Sequence, residues 1–269
     1  MQTMKKTSIV GVFLGSLMMA QAASAAYTYN WTFSGGGGLT CPTTGCVESS
    51  TKGSKTISTT ATGWYSEMGA NATIQQAYKL RMWDGLAVEA TKDDHGVPQH
   101  ATDNSTWYDS VLFDFGGDKV ALNQIKMGWT KDADFSLLRY TKNDTPDLTN
   151  QSYSALNTTG GWELVDNYLY SYNSNKNPGT DVLFDVNPDN KSSSYWLVAA
   201  LNPAYFSNSN YIGNDYFKIK TLSGEFDDSC TTNCGPVQVS APGSLVLLLL
   251  GLPLLRVARN QFKMEKLAA

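Results

Sequence analysis

Histidine is nearly absent from this chain: His95 and His100 are the only two in 269 residues. Any imidazole acid–base or metal chemistry must therefore come from that one pair. No cysteine accompanies them as a nucleophile, and no Gly-x-Ser-x-Gly elbow is present, so the common hydrolase signatures are missing. A glycosidase needs two carboxylates facing each other across a cleft; aspartates are plentiful, but none is singled out. Lysine and arginine total 20 against 24 acidic residues, without a basic patch, which argues against nucleic acid as a partner. Helical periodicity with caps is lacking throughout, and long apolar runs are confined to the two ends. The run Gly35-Gly36-Gly37-Gly38 is followed by neither a Lys-Ser/Thr pair nor a helix, so it reads as a flexible turn and not a phosphate loop.

What is present at the N-terminus has three parts. Lys5 and Lys6 precede an apolar run from Ile9 to Ala20, and Gln21-Ala22-Ala23-Ser24-Ala25-Ala26 follows. A basic n-region, a short h-region and an A-x-A site are the physical format of a secretory signal peptide. The run is too short for a comfortable membrane span, which takes about 20 apolar residues. Residues 1–25 are therefore expected to be removed by signal peptidase, with Ala23 and Ala25 forming the site; cleavage after Ala22 is the alternative.

The C-terminus is also tripartite. Val239-Ser240-Ala241-Pro242-Gly243-Ser244 is small and turn-forming, Leu245 to Leu255 is almost all leucine, and Arg256, Arg259, Lys263 and Lys266 follow. Cations after the segment would keep that end cytoplasmic. Its shortness and Pro253 suit a removable tail, with transient inner-membrane anchoring, while an uncut anchor is the alternative. This end resembles the PEP-CTERM sorting signals that exosortases process: Val239 and Pro242 match the Val-Pro-Glu-Pro core, whereas Ser240 and Ala241 replace its Pro and Glu. The resemblance implies an exosortase-like processing enzyme as partner.

Between the signals lie about 215 residues, enough for one sizeable domain. They are rich in Thr, Ser, Asn, Gly, Tyr and Trp and poor in Glu and Arg, the profile of β-rich extracellular proteins. Period-two runs recur at Tyr27 to Phe33, Thr56 to Tyr65, Ser110 to Phe115, Lys119 to Trp129, Phe135 to Thr141, Trp162 to Tyr172, Ser194 to Leu201 and Tyr216 to Leu222. Ile125, Met127 and Trp129 fall on one face of their run. Short strands without intervening helices predict an all-β, antiparallel, jelly-roll-like sandwich over residues 26–223. A helical turn is expected near Ile74 to Leu80, and 224–238 reads as a linker. Four cysteines in an exported chain read as disulfides. Local Cys41–Cys46 and Cys230–Cys234 loops are the first choice, cross-pairing the second and a zinc site the third.

The middle of the chain carries a denser pattern. Gly85-Leu86-Ala87-Val88 is followed by His100-Ala101-Thr102-Asp103-Asn104 and Asp109-Ser110-Val111-Leu112-Phe113-Asp114-Phe115. Ile125-Lys126-Met127-Gly128-Trp129 and Asp132-Ala133-Asp134-Phe135 come next, then Ser194-Tyr195-Trp196-Leu197 and Asp215-Tyr216-Phe217-Lys218-Ile219. This order resembles the exosortase-dependent surface proteins called XDP1 over essentially the whole mature domain. Ala87 and Ala133 stand where that family commonly has Gly-Leu-Gly-Val and Asp-Ser-Asp. The resemblance implies location and sorting, not a settled activity.

Two constellations could bind something. Glu89, Asp93, Asp94, Asp103, Asn104 and Asp109 offer oxygen ligands at irregular loop spacing, which suits a structural calcium. Asp103, Asn104 and Asp109 are the expected ligands, and a local Asx-turn at Asp103-Asn104 is the competing explanation. Trp107, Tyr108, Tyr205 and Tyr211, with Phe206, stand in polar, turn-like contexts and could stack on sugar rings. Trp129, Trp162 and Trp196 are assigned to the core. The expected role is a non-catalytic structural or adhesive protein of the cell surface, biofilm or exopolysaccharide. The alternatives are a calcium-dependent, lectin-like carbohydrate module and an orphan hydrolase.

Overall fold

Alternating apolar and polar residues make strands whose two faces meet different surroundings. The computed structural model realises this over residues 27–35, 39–42, 44–69, 71–94, 101–170, 180–208 and 215–226, which are the residues described here; the side chain of Lys131 is not among them. In chain order the first strands are β1 (Tyr27–Thr32), β2 (Leu39–Thr40), β3 (Cys46–Lys52), β4 (Lys55–Glu67) and β5 (Ile74–Gln76). Next come β6 (Lys79–Met82), β7 (Leu86–Glu89), β8 (Thr102–Asp103), β9 (Trp107–Asp114) and β10 (Ala121–Asp132). After β11 (Phe135–Tyr140) and the one-turn helix α1 (Tyr153–Leu156) come β12 (Trp162–Tyr168), β13 (Thr180–Asp185), β14 (Tyr195–Ala200) and β15 (Tyr216–Phe226).

Two antiparallel sheets form the sandwich. Sheet A runs β13-β10-β15-β7-β6-β2, with β1 and β8 also pairing to β15. Sheet B runs β12-β11-β14-β9-β4-β3, with β5 pairing to β4. Their inner faces share one core, in which Trp31, Phe217 and Ile219 from sheet A meet Phe113, Phe135, Trp196 and Val198 from sheet B. Each such side chain contributes about 1.5–3 kcal/mol on burial. The two central indoles are also satisfied as donors: Trp31 Nε1 reaches Ile57 O at 2.9 Å and Trp196 Nε1 reaches Val120 O at 3.0 Å. All described residues belong to one compact unit.

Sheet B is covered on its outer face as well. The segment after β11 folds back with α1, and Leu148, Tyr153 and Leu156 pack on Tyr108, Leu112, Leu138, Leu197 and Ala199 as a second core. The buried Tyr153 hydroxyl shares a hydrogen bond with Ser110 Oγ (2.8 Å) and donates to Tyr108 O (3.0 Å). This is why β9 and β14 are buried along almost their whole length, where one-sided strands would alternate.

Three expectations need correction. Ile74 to Leu80 is not a helical turn but β5 and β6, with Ile74 in the second core and Leu80 in the first. The strand pattern does not end at 223: β15 continues through Phe226, paired to β1 and β10, and Gly224 lies so close to Val120 and Ala121 that a Cβ there would clash. Trp129 does not share a face with Ile125 and Met127. Register slips between Gly128 and Asp132, the mark of a β-bulge, and Trp129 adopts φ 47°, leaving its ring half-exposed. Trp162 and Trp196 are in the cores as expected.

Cys41 and Cys46 form a disulfide, which establishes local pairing at this site and rules out cross-pairing for these two. Cys230, Cys234, His95, His100 and the segments 1–26 and 227–269 lie outside the described residues. Among the described residues no helix is long and apolar enough to cross a membrane.

Candidate metal centre

Three connections between the sheets converge at one end of the sandwich. The chain passes from β8 in sheet A to β9 in sheet B, from β10 in A to β11 in B, and from β14 in B back to β15 in A. Pairing fixes their common end: Ala200 faces Phe135, and Asp132 faces Tyr216. Each connection brings carboxylates. Asp103 and Asp109 come from the first, Asp132 and Asp134 from the second, and Asp215 from the third.

Asp132, Asp134 and Asp215 each offer an oxygen, and these oxygens lie within 4.8 Å of one another. All three residues are buried, Asp134 and Asp215 completely. Part of each carboxylate is engaged by the fold. Asp134 Oδ1 accepts from the backbone of Tyr170, and Asp215 Oδ2 accepts from Leu201 N at 3.1 Å and from the Asn104 side-chain amide. Asn104 completes the clasp, donating to Leu201 O at 2.7 Å and accepting from Asp215 N at 3.0 Å. The second oxygens, Asp134 Oδ2 and Asp215 Oδ1, are buried without a hydrogen-bond partner among the described residues.

A buried carboxylate without compensation favours its neutral form. Burial, with repulsion from Asp132, pushes Asp134 up to about 7 despite the Tyr170 N–H. Burial, then the charges of Asp134 and Asp132, push Asp215 up to about 9. A cation between them would reverse both effects. The donor set is all oxygen, which selects a hard ion over zinc or copper. The three oxygens, all within 4.8 Å of one another, are close enough to share one hard cation.

The residues expected from sequence sit around this centre without forming it. Asn104 touches Asp215, but both ends of its amide are used by the clasp. Asp103 forms the Asx-turn: its Oδ1 accepts from Ser105 N at 2.9 Å and Ser105 Oγ at 2.8 Å, and burial raises it to about 6. Asp109 accepts from Asp103 N at 3.2 Å, and burial and the Asp103 charge hold it well above the usual carboxylate range. Glu89 pairs with Arg81, and Asp94 accepts from Ala90 N. The signal that could have found Asp132 and Asp134 was the Asp-x-Asp step between two strands; Asp215 becomes their neighbour only through strand register.

Among the described residues the expected sugar platform is not assembled. Tyr108 is buried in the second core, so its ring offers no face to a ligand. Tyr205 packs edge-on against Tyr153 and donates its hydroxyl to Tyr153 O at 2.7 Å. Trp107 is half-buried and meets Tyr65 edge-on. Tyr211, Ala23, Ala25 and the sorting residues Val239 to Ser244 fall outside the described residues.

No family model matches the chain, and no curated protein matches it. Among solved structures it is similar to a carbohydrate-binding module, CBM32-3 from a family 31 glycoside hydrolase of Clostridium perfringens. The identity is 14% and the TM-score 0.26, over 46% of this chain and 78% of that one. A likeness at that score carries no argument for function.

Proposed function

We propose that this chain is an exported module of the cell surface or extracellular matrix, with its β-sandwich braced at one end by a calcium ion. The observation that carries the reading is the buried Asp132, Asp134 and Asp215 cluster, in which Asp134 Oδ2 and Asp215 Oδ1 lack a hydrogen-bond partner among the described residues. Asp132, Asp134 and Asp215 would hold the ion, and backbone carbonyls or water would complete the six to eight oxygens calcium takes. The ion supplies charge neutralisation at the place where three sheet-to-sheet connections meet. Burial of the cluster also argues for a structural role over a catalytic one, since a substrate would need access to it.

Export is supported by the signal format of residues 1–25 and by the Cys41–Cys46 disulfide, which persists in oxidising compartments. Delivery by an exosortase-type enzyme rests on the Val239 to Ser244 motif and its apolar, basic sequel.

The calcium reading is tested on the mature protein after chelation, by calorimetry and thermal melting in calcium and in magnesium. Calcium at a hundredfold excess over Kd should add about 2.7 kcal/mol, a rise of roughly 5–10 °C. Absence of heat and of any melting shift in millimolar calcium would sink it. Sorting is tested by mass spectrometry of the protein from its native cells. An end between Ala241 and Ser244 is expected, and an intact Ala269 would remove the exosortase component.

A further inference from the structure

The outer face of sheet A carries exposed aromatic surface beside the ammonium of a largely buried lysine. Lys218 points away from the core, since its neighbours Phe217 and Ile219 fill the interior. Yet Lys218 is only 6% exposed, because Trp83 and Trp129 close over it. Its Nζ lies 5.5 Å from the Trp83 ring centroid and 4.9 Å from that of Trp129, within cation–π range of both.

The backbone is shaped to make this arrangement. The bulge and positive φ at Trp129 turn its ring out of the core and toward Lys218. Gly85 has φ 122°, and a Cβ there would stand 2.8 Å from Lys218 Cβ, so only glycine lets the β6–β7 turn lie on the lysine. Non-glycine residues at positive φ are costly to hold, and Asp84 beside Trp83 is another, at 54°.

The charges nearby leave Lys218 over. Lys220 bridges Asp84 at 2.7 Å and Asp181 at 3.2 Å, and Lys126 pairs with Asp181 at 2.7 Å. Among the described side chains, three ammoniums thus face two carboxylates. Among the described residues Lys218 forms neither an ion pair nor a hydrogen bond. Desolvation lowers its affinity for a proton, offset in part by Asp84. Trp83, meanwhile, is 56% exposed.

We propose that Trp83, Trp129 and Lys218 form a binding site for the uronic-acid units of an acidic polysaccharide. The indole of Trp83 matches the apolar face of a sugar ring. The one surplus ammonium matches the single negative charge of a sugar carboxylate, in a setting poor in water where a charge-assisted hydrogen bond is strong. The site does not depend on the calcium centre, which uses other side chains.

The test is affinity electrophoresis and calorimetry of the purified mature protein with polygalacturonate and alginate oligomers. Neutral glucan oligomers of equal length are the comparison, and every measurement is made in chelator and in calcium. Binding to the uronate oligomers alone, persisting in chelator, is expected. Lys218→Met keeps an apolar stem between the indoles and should weaken binding about tenfold or more, while Lys218→Arg retains it. Trp83→Ala should give a comparable loss, with melting temperature and circular dichroism as the check on folding. Equal binding to neutral glucans, or full binding by folded Lys218→Met, overturns the proposal. So does retention that requires calcium and ignores both substitutions. Failure here leaves the calcium melting shift untouched, so the two readings fail separately.

Discussion

Replacing Asp215 by asparagine should raise stability in the absence of calcium and blunt the response to it. The amide keeps an oxygen for Leu201 N and the Asn104 amide, the two groups Asp215 Oδ2 serves. It removes the need either to ionise a buried acid or to hold a proton on it at neutral pH. In the cation-free protein, Asp215 rises from 3.8 to about 9. A folded-state value raised this way means that the folded form binds more protons than the unfolded chain. The associated stability is complete below pH 3.8 and is lost progressively as pH rises to about 9. Each pH interval removes about 1.4 kcal/mol for each extra bound proton, so by pH 7 the loss is about 4 kcal/mol. Asp215→Asn escapes this loss. In chelator at pH 7 it should melt about 10 °C above the parent protein, taking 2–4 °C per kcal/mol for a domain of this size. In millimolar calcium the gap should narrow by most of the parent's calcium shift, because the variant has lost one of the three carboxylates that would hold the ion. Differential scanning calorimetry in both conditions, at pH 5 and pH 7, reads the effect. A variant that melts below the parent in chelator, or that keeps the full calcium shift, would refute the reasoning.

Three other expectations can be checked on the same material. Calcium binding at pH 7 should release about one proton or more, because Asp215 and part of Asp134 must ionise; calorimetry in buffers of different ionisation heat measures this, and affinity should rise from pH 6 to pH 8. Tyr153→Phe leaves Ser110 Oγ and Tyr108 O short of a partner under the third layer, at a cost of about 1–3 kcal/mol, read as a lower urea midpoint with unchanged slope. Cys41→Ser opens a loop spanning five positions and should cost about 2 kcal/mol, with the parent protein losing a similar amount in reductant.

Several strands with one face to solvent were legible, whereas β3 and β13, which also meet solvent, were not. β1 alternates buried and exposed positions from Tyr29 to Thr32; it starts at Tyr27 as read from sequence and ends one residue earlier than the run to Phe33. β5 and β6 were not legible, because Gln75, Gln76, Ala77, Lys79 and Leu80 are ordinary helix formers and only tertiary packing decides their state. The third layer was missed for a different reason: α1 has four residues, too few for a periodic signal. The candidate ion site was half legible. Oxygen chemistry near Asp103 and Asn104 was read from composition, and Asn104 does touch the cluster through Asp215. The ligands themselves come from the ends of β10, β11 and β15, and no local pattern says that Asp132 will lie opposite Tyr216. Trp129 was misassigned because a bulge breaks the period on which the assignment rests.

The position of β15 has a mechanical consequence. Phe226, at its end, faces Tyr27, so both ends of the described fold leave from the same side of the sandwich. Tyr216, at the other end of this 11-residue strand, lies beside the carboxylate cluster, about 35 Å away. A pull between a tether following Phe226 and anything held near Lys218 therefore runs lengthwise along β15. Its ladders to β1 and β10 would then be sheared as a set instead of being opened one bond at a time. Such loading divides the force among many hydrogen bonds, and a cation gripping Asp215 would pin the far end of the strand against slippage.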